Sequence, residues 1–422
     1  METSDNSQKQ NKRILAVILF TIFVDLLGFG ILIPVIPLLL ANPMSKYYLI
    51  AGRFSVSQGY ILLGYLSAMW ALMVFLVAPI MGQLSDKYGR KKILIFALSG
   101  TSLSYVIFAI GIITKNLPLL FISRAFDGVT GSSISVAQAA IADVTKPENR
   151  AKTFGLIGAA FGLGFIFGPY IGGKLSDPLV LSWFDATTPF WFAAILSFLN
   201  VLFILFFFKE TLKEKNRELK ITLTRAFSNI FKAARLSGIR TVLLTNFFFQ
   251  GGFAFFTTFF AVFLIHRFSF TQGNTGDYFS YVGLWVVLAQ AVILRLFLKK
   301  FNECEILRYS LLGLSIFIFL QLLPDKSWEL LLITPFFAVA NGLTQANITA
   351  LVSRSAAQST QGEILGINSS VQSLAMAIPP IISGYIAAAF LPEASILVSA
   401  IVIFLGWLVF LRFGKSIKCD WS

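Results

Sequence analysis

The chain has 422 residues, of which 56% are hydrophobic and only 13% charged, with 45 Phe, a mean hydropathy of +0.78 and a formal net charge of +14. A soluble globular domain carries about twice that fraction of charged residues. An ordinary soluble enzyme is therefore excluded, and lipid is the expected solvent.

Twelve apolar runs follow one another, at roughly 14–40, 58–81, 93–113, 118–144, 151–173, 187–208, 239–265, 275–298, 306–323, 328–353, 363–390 and 394–413. Each is long enough to cross ~30 Å of hydrocarbon as a helix. The first run is too long for a cleaved signal peptide, and Asp25 sits in its middle. With the N-terminus inside, the segments on the cytoplasmic side hold 27 of the 34 Lys and Arg. That bias predicts cytoplasmic N- and C-termini, and it makes the basic charge a membrane address, with no nucleic-acid partner. Cys304 and Cys419 both fall near cytoplasmic ends, where no disulfide framework is expected.

Between the second and third runs lie residues 82–92, read as a tight loop with Gly82 and Gly89 where the backbone turns, Asp86 near its start and four basic residues after it. Its charges serve either as topology determinants alone or as a gate. In the gate, Asp86 and Arg90 hold the first half to neighbouring helix ends, and Asp143 at the end of the fourth run is the partner. Gly158, Gly162, Gly164, Gly168 and Gly172 in the fifth run include pairs four apart, predicting one smooth face for a close helix neighbour, with Pro169 permitting a bend.

Residues 209–238 form the longest polar stretch. Leu223, Phe227, Ile230, Phe231 and Ala234 share one helical face there, with Arg225, Lys232 and Arg235 elsewhere. This predicts an amphipathic helix, either interfacial or part of a solvated linker. The segments on either side repeat. Residues 85–100 align without gaps on 298–313, and 131–169 match 342–380 at an offset of 211, with Gly131 on Gly342 and Pro169 on Pro380. Three units follow: an N-terminal six-helix bundle at 1–208, a cytoplasmic linker at 209–238 and a C-terminal six-helix bundle at 239–422. The expected fold is all-α and integral to the membrane. Its twelve spans form two bundles related by a pseudo-two-fold axis along the membrane normal, with a substrate path between them.

Asp25, Arg124 and Asp127 are the titratable residues well inside the runs. An ionised side chain at a helix centre costs ~2.5–3.5 kcal/mol on insertion scales, so each needs a partner or a watered cavity. Arg124 and Asp127, spaced i, i+3, can pair on one helix face. Asp25 lies about 18 Å along its helix from Arg13, near the midplane. The arrangement is either a self-satisfied ion pair or a proton-coupling site with Asp25 as principal carrier, tuned by Arg124 and Asp127. On the repeat, Arg124 maps to Pro335 and Asp127 to Ala338. The second half instead offers neutral amides for a large amphipathic substrate: Asn246, Gln250, Asn341, Gln345 and Gln372.

Residues 82–92, Arg124 with Asp127-Gly128 and Gly131, the span-5 glycines with Pro169, and Asp25 to Gly30 followed by Pro34 and Pro37 together resemble the major facilitator superfamily. Within it they resemble the drug:proton antiporters of the tetracycline- and multidrug-efflux type. The resemblance implies alternating access, the gate role for Gly82, Asp86, Gly89, Arg90 and Asp143, and an antiporter signature at Gly158 through Gly172. It also implies a multi-pass protein of the bacterial inner membrane. The chain departs from the tetracycline group at Val286, where that group has a His, and in the absence of an acid from span 9. Drugs, siderophores and metabolites all stay open as cargo. The expected function is export of a small amphipathic molecule in exchange for protons, by a monomer without metal, cofactor or enzymatic activity. Proton-coupled import, or a non-transporting receptor on the same fold, are the alternatives.

Overall fold

The computed structural model describes residues 2–145, 150–212, 214–216, 218–236, 239–354 and 361–414. Helix accounts for 81% of the protein, with no strand among the described residues. A bilayer imposes this: without water in the hydrocarbon, a spanning segment must satisfy its own backbone groups, and the α-helix does so within one segment.

The chain runs through α1 (Glu2–Ile31), a proline-bounded turn, α2 (Ile36–Leu40), α3 (Val56–Tyr88), α4 (Arg90–Ile113), α5 (Leu117–Thr130), α6 (Ser133–Val144), α7 (Arg150–Leu175) and α8 (Thr188–Phe207). The linker contains α9 (Arg225–Arg235). There follow α10 (Arg240–Phe268), α11 (Gln272–Leu288), α12 (Leu294–Phe297), α13 (Glu303–Leu320), α14 (Ser327–Arg354), α15 (Gln361–Ala389) and α16 (Pro392–Phe413). A π turn at Ala289–Ile293 joins α11 to α12.

Ten helical stretches among the described residues are long and apolar enough to cross a membrane. The other two expected runs are also helical. One is broken between Thr130 and Ser133 into α5 and α6. The other, α13, opens on Glu303 and Glu305 and carries Arg308, so its charge sets it apart from the ten although the rest of the helix is apolar. Two further expectations are corrected. Residues 82–88 are the last turns of α3, and only Gly89, at φ +105°, breaks the chain before α4. Gly82 lies within α3 and makes no turn, and a side chain there would meet nothing within 4 Å. Cys304 is disulfide-bonded; the contrary expectation rested on the redox compartment, whereas the bond itself requires only that two thiols come within reach. Cys419 lies outside the described residues.

Packing repeats between the two sets of helices. In the first set α1 packs on α7 and α8, α3 on α5, and α4 on α5 and α8; in the second α10 packs on α15 and α16, α11 on α14, and α13 on α14 and α16. The sets meet along α3 with α15 and along α7 with α11. Phe249, Phe256, Phe260, Phe263, Phe279 and Phe337 fill the core of the second set. The end carrying Gly89, Asp143 and the linker is hereafter the basic end.

Candidate functional site

The Thr130–Ser133 break in α5/α6 builds the charged centre. It places Ser133 so that its hydroxyl donates to Asp25 Oδ2 across from α1. Asp25 Oδ1 is buried without a hydrogen-bond partner. One turn before the break, Arg124 Nη1 lies 2.8 Å from Asp127 Oδ2, with both residues 5% exposed. The Arg124 guanidinium sits 6.0 Å from the Trp70 ring centroid. Tyr105 is buried under Gly28 and lies within electrostatic reach of Asp25, Arg124 and Asp127. The predicted i, i+3 pair is thus formed, while Asp25 is held by a neutral hydroxyl. Ser133, Trp70 and Tyr105 went unread in the sequence, although a Ser pair and a Tyr inside apolar runs were a usable signal.

At the basic end, Arg90 gathers Asp86, Ser85 and Asp143. Its Nη1 is 2.6 Å from Asp86 Oδ1, and its Nε is 3.0 Å from Asp143 Oδ2. The Arg90 side chain is 7% exposed, against 47% for Asp86 and 21% for Asp143, so the Asp143 arm is the better shielded. All these residues belong to α3, α4 and α6. The cluster joins helices of the first set to one another and does not reach the second.

What it does hold is the linker, which the sequence did not suggest. Glu210 accepts from the Arg90 and Lys91 backbone N–H groups at 2.9 and 3.3 Å, capping the positive start of α4. It sits where a side chain on Gly89 would stand. Thr211 Oγ1 donates to Asp143 at 3.0 Å, and Gln83 exchanges hydrogen bonds with the Thr222 backbone at 3.2 and 2.9 Å. The available signal was an acid directly after an apolar run.

The repeat of this corner is sharper in space than in sequence. Arg90 aligns with Glu303 and Asp143 with Arg354, and Arg354 Nη2 lies 2.8 Å from Glu303 Oε1. Asn302, in the place of Gly89, caps α13 in a capping box with Glu305. The ion pair is kept with its polarity reversed.

The span-5 glycines face two neighbours rather than one. A Cβ on Gly164 or Gly168 would stand 2.6 Å from Leu26 Cβ or 2.7 Å from Gly30 Cα, so these residues, with Gly172 against Ile31, let α1 approach. Gly162 meets Val287 of α11 at 2.6 Å, whereas Gly158 has only Gln290 Oε1, at 3.7 Å. Pro169 stays inside α7, its carbonyl packed against Gly276 of α11.

Among the second-set amides, Asn246 Nδ2 donates to Asn368 Oδ1 at 2.7 Å and Gln250 Nε2 to Gln345 Oε1 at 3.1 Å. Asn341 Oδ1 is buried without a partner, and Gln372 is half-buried. None of these five candidates lines the cavity of about 380 Å³ between the sets at the basic end. Its polar lining includes the charged Asp86 and Arg225 beside Gln83, Gln138, Asn229 and serines of α6 and α15, set among apolar side chains of α3, α6 and α15. At the opposite end the sets touch. Tyr65 and Tyr385 hydroxyls are 2.9 Å apart, Lys174 pairs with Asp277 at 2.8 Å, and α7 meets α11 at Gly173 and Gly276.

Two sets of helices in contact at one end, with a cavity between them at the other and, among the described residues, a charged centre in one set, are the geometry of a transporter. The family model for the major facilitator superfamily matches residues 18–378. The chain belongs to the major facilitator superfamily. Superfamily relatives include the class H tetracycline resistance protein of Pasteurella multocida, 31% identical over 383 residues and 89% of each chain. Multidrug resistance protein 1 of Bacillus subtilis (strain 168) is 30% identical over 372 residues, 88% of each chain. In fold, the chain resembles the crystal structure of the human organic anion transporter MFSD10, with a TM-score of 0.72, 22% identity, and 94% and 99% of the two chains covered. The protein is therefore a multi-pass transporter of the superfamily, acting in the bilayer on small molecules.

Proposed function

We propose that the protein exports a small amphipathic molecule in exchange for protons, by alternating access between two bundles of six spans. The relatives named for tetracycline and multidrug resistance support efflux. The observation that carries proton coupling is Asp25. One carboxyl oxygen accepts from Ser133, while the other is buried without a partner. Leaving a buried carboxylate oxygen unpaired is costly, and a proton relieves that cost without moving any helix. Arg124 is already engaged by Asp127, so Asp25 keeps the vacancy, and the pair fixes the local field around it. Re-partnering of Arg124 toward Asp25 would expel the proton.

With the basic end cytoplasmic, as the Lys and Arg bias indicates, the cavity opens inward and the Tyr65–Tyr385 and Lys174–Asp277 contacts close the outer face. The Arg90 cluster is formed while the cavity at its own end is open. We therefore read Asp86, Arg90 and Asp143 as a brace that makes the first bundle and the linker move as one body. In that reading the cluster is not the seal between bundles.

The test is proteoliposomes with a trapped pH dye and a panel of amphipathic drugs. Export by antiport predicts that a substrate gradient drives proton movement in the opposite direction, and Asp25→Asn abolishes that movement while substrate binding is retained. Proton movement in the same direction as substrate would establish symport, and unaltered coupling in Asp25→Asn would remove Asp25 from the mechanism.

A further inference from the structure

The linker helix α9 has three faces where a packed surface helix has two. Ala226, Asn229 and Ala233 are buried against the bundle, with Asn229 Nδ2 donating to Ser370 Oγ of α15 at 3.0 Å. Roughly 120° around the helix lie Phe227 and Phe231, 51% and 68% exposed, continued by Leu223 at 71%. A further third of a turn on, Arg225, Lys232 and Arg235 stand exposed. Phe227 reaches the protein at one edge, but the greater part of the apolar face, Leu223 and Phe231, is not the face that docks on it. A helix that turns its aromatic residues away from its own core needs an apolar phase outside it.

Depth supports the same conclusion. The Phe227 ring packs edge-on against Phe75 at 5.5 Å. Phe75 lies thirteen residues before Tyr88, which closes α3, roughly 20 Å along the helix. That places α9 beside the apolar length of α3, inside the level where lipid begins. The surrounding stretch, 209–240, carries nine Lys and Arg against three Glu. A strongly basic segment at that depth is complementary to anionic headgroups.

We infer that α9 is a lipid-binding element. Leu223, Phe227 and Phe231 enter the acyl boundary of the adjacent leaflet, and Arg225, Lys232 and Arg235 engage its anionic headgroups. Because α9 packs on α3 of one bundle and on α15 and α10 of the other, and Arg225 and Asn229 line the cavity, leaflet charge bears directly on the cavity mouth. The inference does not depend on what is transported.

The experiment places a nitroxide at Phe231→Cys in the full chain with Cys304→Ser and Cys419→Ser, and at Asn216→Cys as a solvated reference. Accessibility to oxygen and to a water-soluble nickel chelate is read in vesicles of phosphatidylethanolamine with phosphatidylglycerol, and again in phosphatidylcholine alone. The expected result at 231 is high oxygen access and severalfold lower nickel access than at 216. Protection is deeper with phosphatidylglycerol, and Lys232→Gln with Arg235→Gln removes that difference. Nickel access equal to the reference would overturn the inference in favour of a solvated linker. Exclusion of both reagents would overturn it in favour of a second copy or a protein partner. Lipid contact indifferent to phosphatidylglycerol would overturn the headgroup assignment.

Discussion

The seal at the end opposite the cavity rests on α7 and α11, and Gly276→Ala should pry it open. A Cβ on Gly276 would stand 2.5 Å from the Pro169 carbonyl oxygen and 3.2 Å from Gly173 Cα, where ordinary contact begins at 3.4 Å. Both neighbours are backbone atoms, so no rotamer relieves the overlap, and the helices must part by about 1 Å. Overpacking of this kind costs about 1–3 kcal/mol. The contact lies between bundles, so the cost falls on the sealed conformation and not on either bundle's own fold. That corresponds to a 5- to 150-fold shift toward the state open at this end. Gly158→Ala on the same helix pair is the control. Its nearest neighbour is a flexible amide 3.7 Å away, and no shift is expected. The assay is double electron–electron resonance between spin labels at Leu179 and Phe390, both highly exposed at the sealed end. Gly276→Ala should raise the long-distance population while its melting temperature stays near that of the parent. Equal distance distributions in the two variants would refute the reasoning, as would a loss of stability without a change in distance.

The reversed ion pair is tested by a double-mutant cycle. Glu303→Arg should destabilise the chain, and adding Arg354→Glu should recover a coupling of about 0.5–1 kcal/mol in thermal melts, since Arg354 is half-exposed; zero coupling would remove the contact from the stability of the fold. At the opposite end, burial pushes the Asp185 carboxyl up, but hydrogen bonds from Thr187 and Thr188 outweigh it and hold it below the usual carboxylate range. A depressed folded value adds stability above the ordinary pKa of about 4 and loses it as pH falls through the folded value. Asp185→Ala should therefore cost about 1 kcal/mol at neutral pH, and the melting temperatures of variant and parent should converge below about pH 4.

Fold class was legible because a bilayer leaves a chain few options. Apolar length and the glycine and proline register of the repeat carried it, and the breaks were what hydropathy missed. Thr130–Ser133 and the acidic start of α13 interrupt the apolar signal without ending the helical path. The Arg124–Asp127 pair was readable because i, i+3 spacing is local. Ser133 at Asp25, Glu210 at the start of α4 and the faces chosen by Gly158 and Gly164 were not. Each depends on how helices distant in sequence rotate against one another, and periodicity sets only the angle between residues on one helix. The five amides show the same limit. Their polarity marked them for a cavity, but an amide pair such as Asn246–Asn368 or Gln250–Gln345 satisfies that polarity equally well.

The corner at Gly89 shows what a repeat conserves. Read as letters, its copy has lost the chemistry: Asp86 becomes Lys299, Arg90 becomes Glu303 and Gly89 becomes Asn302. Read as contacts, two of the three functions survive by other means. A carboxamide caps α13 where Glu210 caps α4, and the Arg90–Asp143 bridge reappears as Glu303–Arg354 with the charges exchanged. Coulomb attraction does not depend on which helix carries which sign, so a brace between neighbouring helices tolerates inversion. A proton carrier does not, because of the two partners only the carboxylate takes up and releases a proton, the guanidinium staying charged. That difference separates the two kinds of site in this chain. The braces occur in both bundles in either polarity, whereas Asp25, Arg124 and Asp127 occur once. The inverted partner therefore fits the proposed mechanical role of the Arg90 cluster, and the lack of a counterpart fits the proposed proton-carrying role of the Asp25 centre.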